Sequence, residues 1–214
     1  MAAMDQDKLN AMVASINTCA TNYLSSVNTQ VSSLLETFNA SWVSPAAQTL
    51  ATEISGCLSN LADSITNTFA AQNEAIAVSV NNFNATEDTN ISYSGFSFEK
   101  PTTDLTLNAT LPSGKVGVAD GADLNTINTP VMTLVANINS TLDNISSTVS
   151  GADAFDAVEQ GALTQAVNTI KTNFDTGMQE LTTSLESRMS GEIEERDALN
   201  AANEANLSGG AGAN

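Results

Sequence analysis

The side chains able to do chemistry are few in this chain, and their spacing suits little of it. There is no histidine among the 214 residues, which removes Ser-His-Asp and Cys-His nucleophile–base pairs and most transition-metal sites. The densest carboxylate group is Glu192, Glu194 and Glu195. On a helix these side chains spread around the axis, so a solvated face is expected rather than a general acid–base pair. Asp120 and Asp123 sit in Ala119-Asp-Gly-Ala-Asp123, which lacks the alternate ligands and terminal Glu of a calcium loop and reads as a solvated turn. Gly209-Gly-Ala-Gly212 follows a helical stretch, the reverse of a phosphate-binding loop, which opens one. Cys19 and Cys57 fall on the apolar seams of two successive helices, with an offset of about 10 Å along the axis that puts them beyond disulfide reach. Two buried thiols are expected. No catalytic residue, cofactor or metal is expected, and the chain reads as non-enzymatic.

The elements that carry these residues are mostly long helices. Apolar residues make up 42% of the chain and aromatics only 5%, so the core must be aliphatic, which suits helix bundles better than sandwiches. Leu9, Met12, Ile16, Cys19, Tyr23, Val27, Val31, Leu34 and Phe38 are spaced 3-4-3-4-4-4-3-4 and form one heptad-like stripe. Leu50, Ile54, Cys57, Leu61, Ile65, Phe69, Ile76, Val80 and Phe83 form a second. Between them Asn39 and Ser41 disfavour continuation, Ser44 offers an N-cap oxygen, and Pro45 fits the first helical position. This is the bend of a helical hairpin, with Trp42 as the plug at its closed end.

From Asn90 the period changes to two. Ile91 and Tyr93, then Phe96 and Phe98 after Gly95, then Leu105, Leu107, Ala109 and Leu111, then Val116 and Val118 predict three or four short strands, with Gly95 as a bulge. The helical pattern then resumes through Leu134 or Val135, Ile138, Leu142, Ile145 and Val149. After a break at Ser150-Gly-Ala-Asp153 it runs through Leu163, Val167, Ile170, Phe174, Met178, Leu181, Leu185, Met189 and Ile193. The second half aligns on the first as an internal repeat, with Phe155 in the place of Trp42. The expected fold is mainly α: two long antiparallel hairpins in a four-helix arrangement with a small inserted antiparallel β element. Its divisions are hairpin 1 at 1–88, the β insert at 89–123, hairpin 2 at 124–207 and a flexible tail at 208–214.

The formal charge of −18, from 24 acidic and 6 basic residues, argues against nucleic acid and anionic membranes as partners. The start, Met1-Ala-Ala-Met-Asp-Gln-Asp-Lys-Leu9, lacks a basic n-region and apolar core, so no secretory signal peptide is expected. Residues 9–35 are uncharged but too rich in Asn, Ser and Thr to enter a membrane. Seven Asn-x-Ser/Thr sequons, at Asn39, Asn84, Asn90, Asn108, Asn139, Asn144 and Asn206, read as products of a composition rich in those residues.

Residues 5–85 resemble the Trp-x-Gly helical-hairpin family of type VII (ESX) secretion substrates, the early secreted antigen-like proteins. The likeness rests on two helices of similar length and on Trp42-Val43-Ser44 in the bend, with Ser44 where the family has Gly, followed by Ala46, Ala47 and Leu50. The family's export element, Tyr-x-x-x-Asp/Glu after helix 2, has its nearest match in Phe83-Asn-Ala-Thr-Glu87. The resemblance implies a tandem hairpin protein that leaves the cell without a cleavable signal peptide, cytoplasmic before export. The partners it implies are export machinery or a second helical-hairpin chain, including another copy of itself. The runner-up from a different class is an α-helical pore-forming or surface-assembly protein with a rearranging β element, for which Tyr93, Phe96 and Phe98 cluster in the insert.

Overall fold

The structure, a computed structural model, describes residues 4–154 and 157–210. Its helices are α1 (Gln6–Ser41), α2 (Pro45–Glu87), α3 (Leu124–Gly151) and α4 (Ala157–Gly210), and two-residue strands β1 (Trp42–Val43) and β2 (Gly117–Val118) pair antiparallel. The molecule is a mainly α bundle with a small β element, as the periodicities predict. Helix starts are set by capping. The Asp5 carboxylate accepts from the Asp7 and Lys8 N–H groups, Ser44 Oγ accepts from Ala47 N with Pro45 just inside the helix, and Asp123 and Thr126 form a capping box.

The buried stripe of α1 is Leu9, Met12, Ile16, Ala20, Tyr23, Val27, Val31, Leu34 and Phe38, a repeating 3-4-4 rather than a heptad. In α3 the stripe Ile127, Val131, Leu134, Ile138, Leu142, Ile145 and Val149 obeys the same rule. So do Leu50, Ile54, Leu58, Leu61, Ile65 and Phe69 in α2, and Leu163, Val167, Ile170, Phe174 and Met178 in α4. Eleven residues in three turns is about 3.67 per turn, so the stripe stays on one side of a nearly straight helix instead of forcing a left-handed supercoil. This shifts two expectations. The core positions are Ala20 and Leu58, one residue beyond Cys19 and Cys57, and both cysteines are free and only half-buried. Burial pushes both thiols above their usual range.

Chain direction follows from contacts at the helix ends. The Asp5 N–H reaches the Ala154 carbonyl and the Ala119 N–H reaches the Ser41 carbonyl, so α3 runs antiparallel to α1. Lys171 pairs with Asp143, and Arg188 with Glu53, so α4 runs antiparallel to both α3 and α2. Close packing joins α1 to α3, α3 to α4 and α4 to α2, so the second hairpin packs on itself as expected whereas α1 and α2 of the first are held apart, and one continuous core runs through all four.

On the remaining side, between α1 and α2, lies the segment 89–116. Of the three or four strands expected, those over 91–111 do not form, since that run pairs with no strand, while the last, at Val116 and Val118, is present as the two-residue β2, paired with β1 at the bend rather than within the insert. The period-two signal has a different cause. Phe96, Phe98, Leu105, Leu107 and Leu111 are buried against the two helices, Phe69 of α2 stacks on Phe98 and meets Phe96 edge-on, and the backbone is tied by side-chain amides. Gly95, expected as a bulge, has φ +72°, and a Cβ there would lie 3.3 Å from Asn73 Oδ1. Gly95→Ala therefore adds a left-handed backbone cost to a crowded amide. We expect a loss of about 1–2 kcal/mol in urea unfolding, and an unchanged midpoint would contradict this account of the turn.

Candidate functional site

A polar constellation joining distant parts of the chain lies where the α1–α2 bend meets α4. Trp42 is fully buried and its ring lies 6.0 Å from that of Phe38. Residue 43 continues in β geometry, and β1 aligns Trp42 with Val118 and Val43 with Gly117. Both polar groups of the bend turn toward Glu192 of α4. Trp42 Nε1 donates to Glu192 Oε2 at 2.8 Å, and Ser44 Oγ donates to Oε1 at 2.6 Å while accepting from Ala47 N at 3.0 Å. One turn further along α4, Arg196 donates to the Ala119 and Ala122 carbonyls at 3.0 and 2.9 Å. Glu192 and Arg196 thus hold the bend and the turn before α3 from a single helix face, four residues apart.

Ser44, where the resembled family has Gly, serves two partners at once. Its hydroxyl caps α2 and reads Glu192, which a glycine could not do. Glu192 is correspondingly half-buried and committed, whereas Glu194 and Glu195 are exposed. The solvated face expected for the trio holds for only two of them. Beside the clamp is an open cleft of about 730 Å³ lined in part by Leu111, Lys115, Glu195, Arg196 and Leu199.

Chemically this arrangement is a lock. Both oxygens of Glu192 are occupied by donors, and Arg196 is engaged by carbonyls. No group of three or more metal-ligating side chains that could hold an ion occurs among the described residues. Asp123, expected in a solvated turn, caps α3, and Asp120 is exposed.

The other expected site residues are placed as follows. Ser44 and Pro45 start α2 in the roles their types suggest. Phe83 and Glu87 lie in the last turns of α2, Phe83 half-buried and Glu87 exposed. They are far from the bend, at the opposite end of the bundle. Phe155 lies outside the described residues. The sequons at Asn39 and Asn84 are more than by-products of composition, because both amides bind the backbone of the extended segment. Glu192 carried no sequence signal as a clamp, since its partners are about 150 residues distant. Comparison with protein-family models, with curated proteins and with solved structures finds no match to this chain.

Removing the clamp leaves two donors of the bend without their acceptor. Glu192→Ala should cost about 1–3 kcal/mol, and Trp42→Ala, which empties a fully buried site, about 3–5 kcal/mol. Native tryptophan emission should be blue-shifted, with Trp42 as the sole reporter. Emission at the water-exposed wavelength, or a Glu192→Ala variant as stable as wild type, would overturn this description of the bend.

Proposed function

We propose that the protein acts through protein–protein contacts and is a substrate or carrier of a type VII-like export system, read at the end of α2. The reading is supported by the resemblance of residues 5–85 and, above all, by the state of Phe83 and Glu87. These two residues stand four apart on one face of the final turns of α2, the aromatic half-covered and the carboxylate in solvent. A partner helix can read such a pair together. The intervening Asn84 is held by Ile91 and Thr89, so the presenting turn is already ordered. Little ordering entropy is then lost on recognition.

The pore-forming alternative has less to draw on. No helix among the described residues is long and apolar enough to cross a membrane. Phe96 and Phe98, the aromatic residues that would have to rearrange, are packed on Phe69. Tyr93 donates its hydroxyl to Asn73.

The test is the double variant Phe83→Ala, Glu87→Ala, expressed in a host with an intact type VII system. Its melting temperature should stay within a few degrees of wild type, because neither residue belongs to the main core. Its appearance in the medium should fall at least tenfold. Export of the double variant at wild-type level, or retention of the wild type inside the cell, would remove the secretion reading and favour assembly with other copies.

A further inference from the structure

Four side chains of α1 face the extended segment at regular intervals: Gln6, Asn17, Asn28 and Asn39, each eleven residues after the last. Their carbonyl oxygens accept the backbone N–H groups of Ser92, Ser97, Thr102 and Asn108, at 2.7, 3.0, 2.7 and 2.7 Å. The donors are five, five and six residues apart. Eleven helical residues rise about 16.5 Å, and five extended residues span about 16.5 Å, so the helix and the extended chain are in step over the first two intervals, and the third takes up one extra residue.

On the other side α2 repeats the device. Asn84 and Asn73, also eleven apart, take Ile91 and Phe96, five apart. Each amide oxygen accepts the backbone N–H, at 2.8 and 3.0 Å, and each amide nitrogen donates to the same residue's carbonyl. Gln48 Oε1 accepts from Leu107 N at 3.1 Å.

Neighbouring residues therefore point to opposite helices: 91 to α2 and 92 to α1, 96 to α2 and 97 to α1, 107 to α2 and 108 to α1. This is the alternation of a central β-strand, with a row of side-chain amides standing in for each flanking strand. Five is odd, so an unbroken extended chain would turn every second N–H away from α1. The segment breaks phase once in each five-residue interval, at Gly95 with its positive φ and between buried Phe98 and buried Pro101. It makes no break in the six-residue interval, where Pro101, Leu105 and Leu107 are all buried on one parity.

We propose that the α1–α2 groove is a binding site for an extended polypeptide main chain, whose resident ligand is residues 91–108 of this chain, docked and released as one unit with the bundle intact. Recognition is directed at backbone N–H groups at fixed pitch, and the ligand's own requirements are apolar side chains at its buried positions and no proline at the donor positions. The close helix packing of α1 on α3, α3 on α4 and α4 on α2 does not pass through the segment. Both of its tethers, at 88–90 and 112–115, are exposed. Because every donor shares one register, losing one acceptor weakens the docking of all.

Two measurements on the full chain test this. The first is native-state amide exchange of wild type, Asn28→Ala and Asn28→Asp. In wild type the N–H groups of Ser92, Ser97, Thr102 and Asn108 should exchange through one common opening, faster than the core amides of α3. Asn28→Ala should accelerate all four by about five- to tenfold and leave α3 unchanged. Asn28→Asp, which keeps the accepting oxygen, should stay near wild type. Acceleration at Thr102 alone, or exchange of the four only together with α3, would overturn the proposal.

The second uses Ser97→Pro, Thr102→Pro in the full chain, which removes two resident donors while leaving the groove's amides in place. A labelled synthetic peptide of residues 90–110 should bind this variant by fluorescence anisotropy at least tenfold more tightly than it binds wild type. The same peptide carrying both prolines should not bind. Equal binding of the two peptides, or binding of neither, would show that the groove does not read main-chain N–H groups.

Discussion

Eleven residues of helix and five of extended chain cover the same length, and they do so because the helical rise is a little under half the extended rise. Most of this structure depends on that match. The 3-4-4 spacing returns an apolar residue to the same side of each helix after eleven residues, and the amides of α1 return with the same period, displaced toward α2. A heptad would have spoiled the arrangement. The left-handed supercoil that a heptad imposes would carry the amide row away from the segment it holds. One period thus fixes both the core and the polar row beside it.

Charge plays a subordinate part, and its distribution shows how. With only 6 basic residues against 24 acidic ones, cations are scarce, and they are spent at seams. Lys8 joins α1 to Asp153 before α4, Lys100 joins the extended segment to Asp63 of α2, Lys171 joins α4 to Asp143 of α3, and Arg188 joins α4 to Glu53 of α2. Exposed pairs of this kind contribute about 0–1 kcal/mol each, too little to hold a bundle together. They do distinguish one alignment of neighbouring helices from a slipped one. Arg196 and Glu192 do the same at the bend through hydrogen bonds to groups that are better shielded from water.

What could be read from the chain follows from how local each signal is. Helix existence, the bend at Ser44-Pro45 and the plugging role of Trp42 are written within a few residues of each other, and the structure has them. The extended segment was legible as period two, but alternation reports only that one side of an extended chain is buried. It says nothing about whether the neighbours are strands or helices, and between helical neighbours the strands expected over 91–111 are one unpaired run, only Gly117–Val118 pairing as a strand. The row Gln6, Asn17, Asn28, Asn39 is visible in the sequence at constant spacing. Spacing alone does not mark it as a binding row, because polar residues on a helix are ordinarily a solvated face. Cys19 beside Ala20 masks the eleven-residue period, since a shift of one position turns 3-4-4 into something close to a heptad. Glu192 could not have been found, because its partners lie far away in the chain.

The ring order of the helices explains why a groove exists at all. Four helices in a ring have four sides, and here three are closed by direct packing of α1 on α3, α3 on α4 and α4 on α2. Direct closure of the fourth would need small residues along both facing sides. Instead α2 presents Phe69 there, which packs on Phe96 and Phe98 of the extended segment. The wide side must still exclude water from Phe69, and an extended chain with alternating large apolar residues fills a long narrow gap without helical hydrogen bonds of its own. Its unpaired N–H and C=O groups would make that burial costly. The amides of α1 and α2 remove the cost for the groups they reach, which is why the apolar filling and the polar row occur on the same side of the bundle.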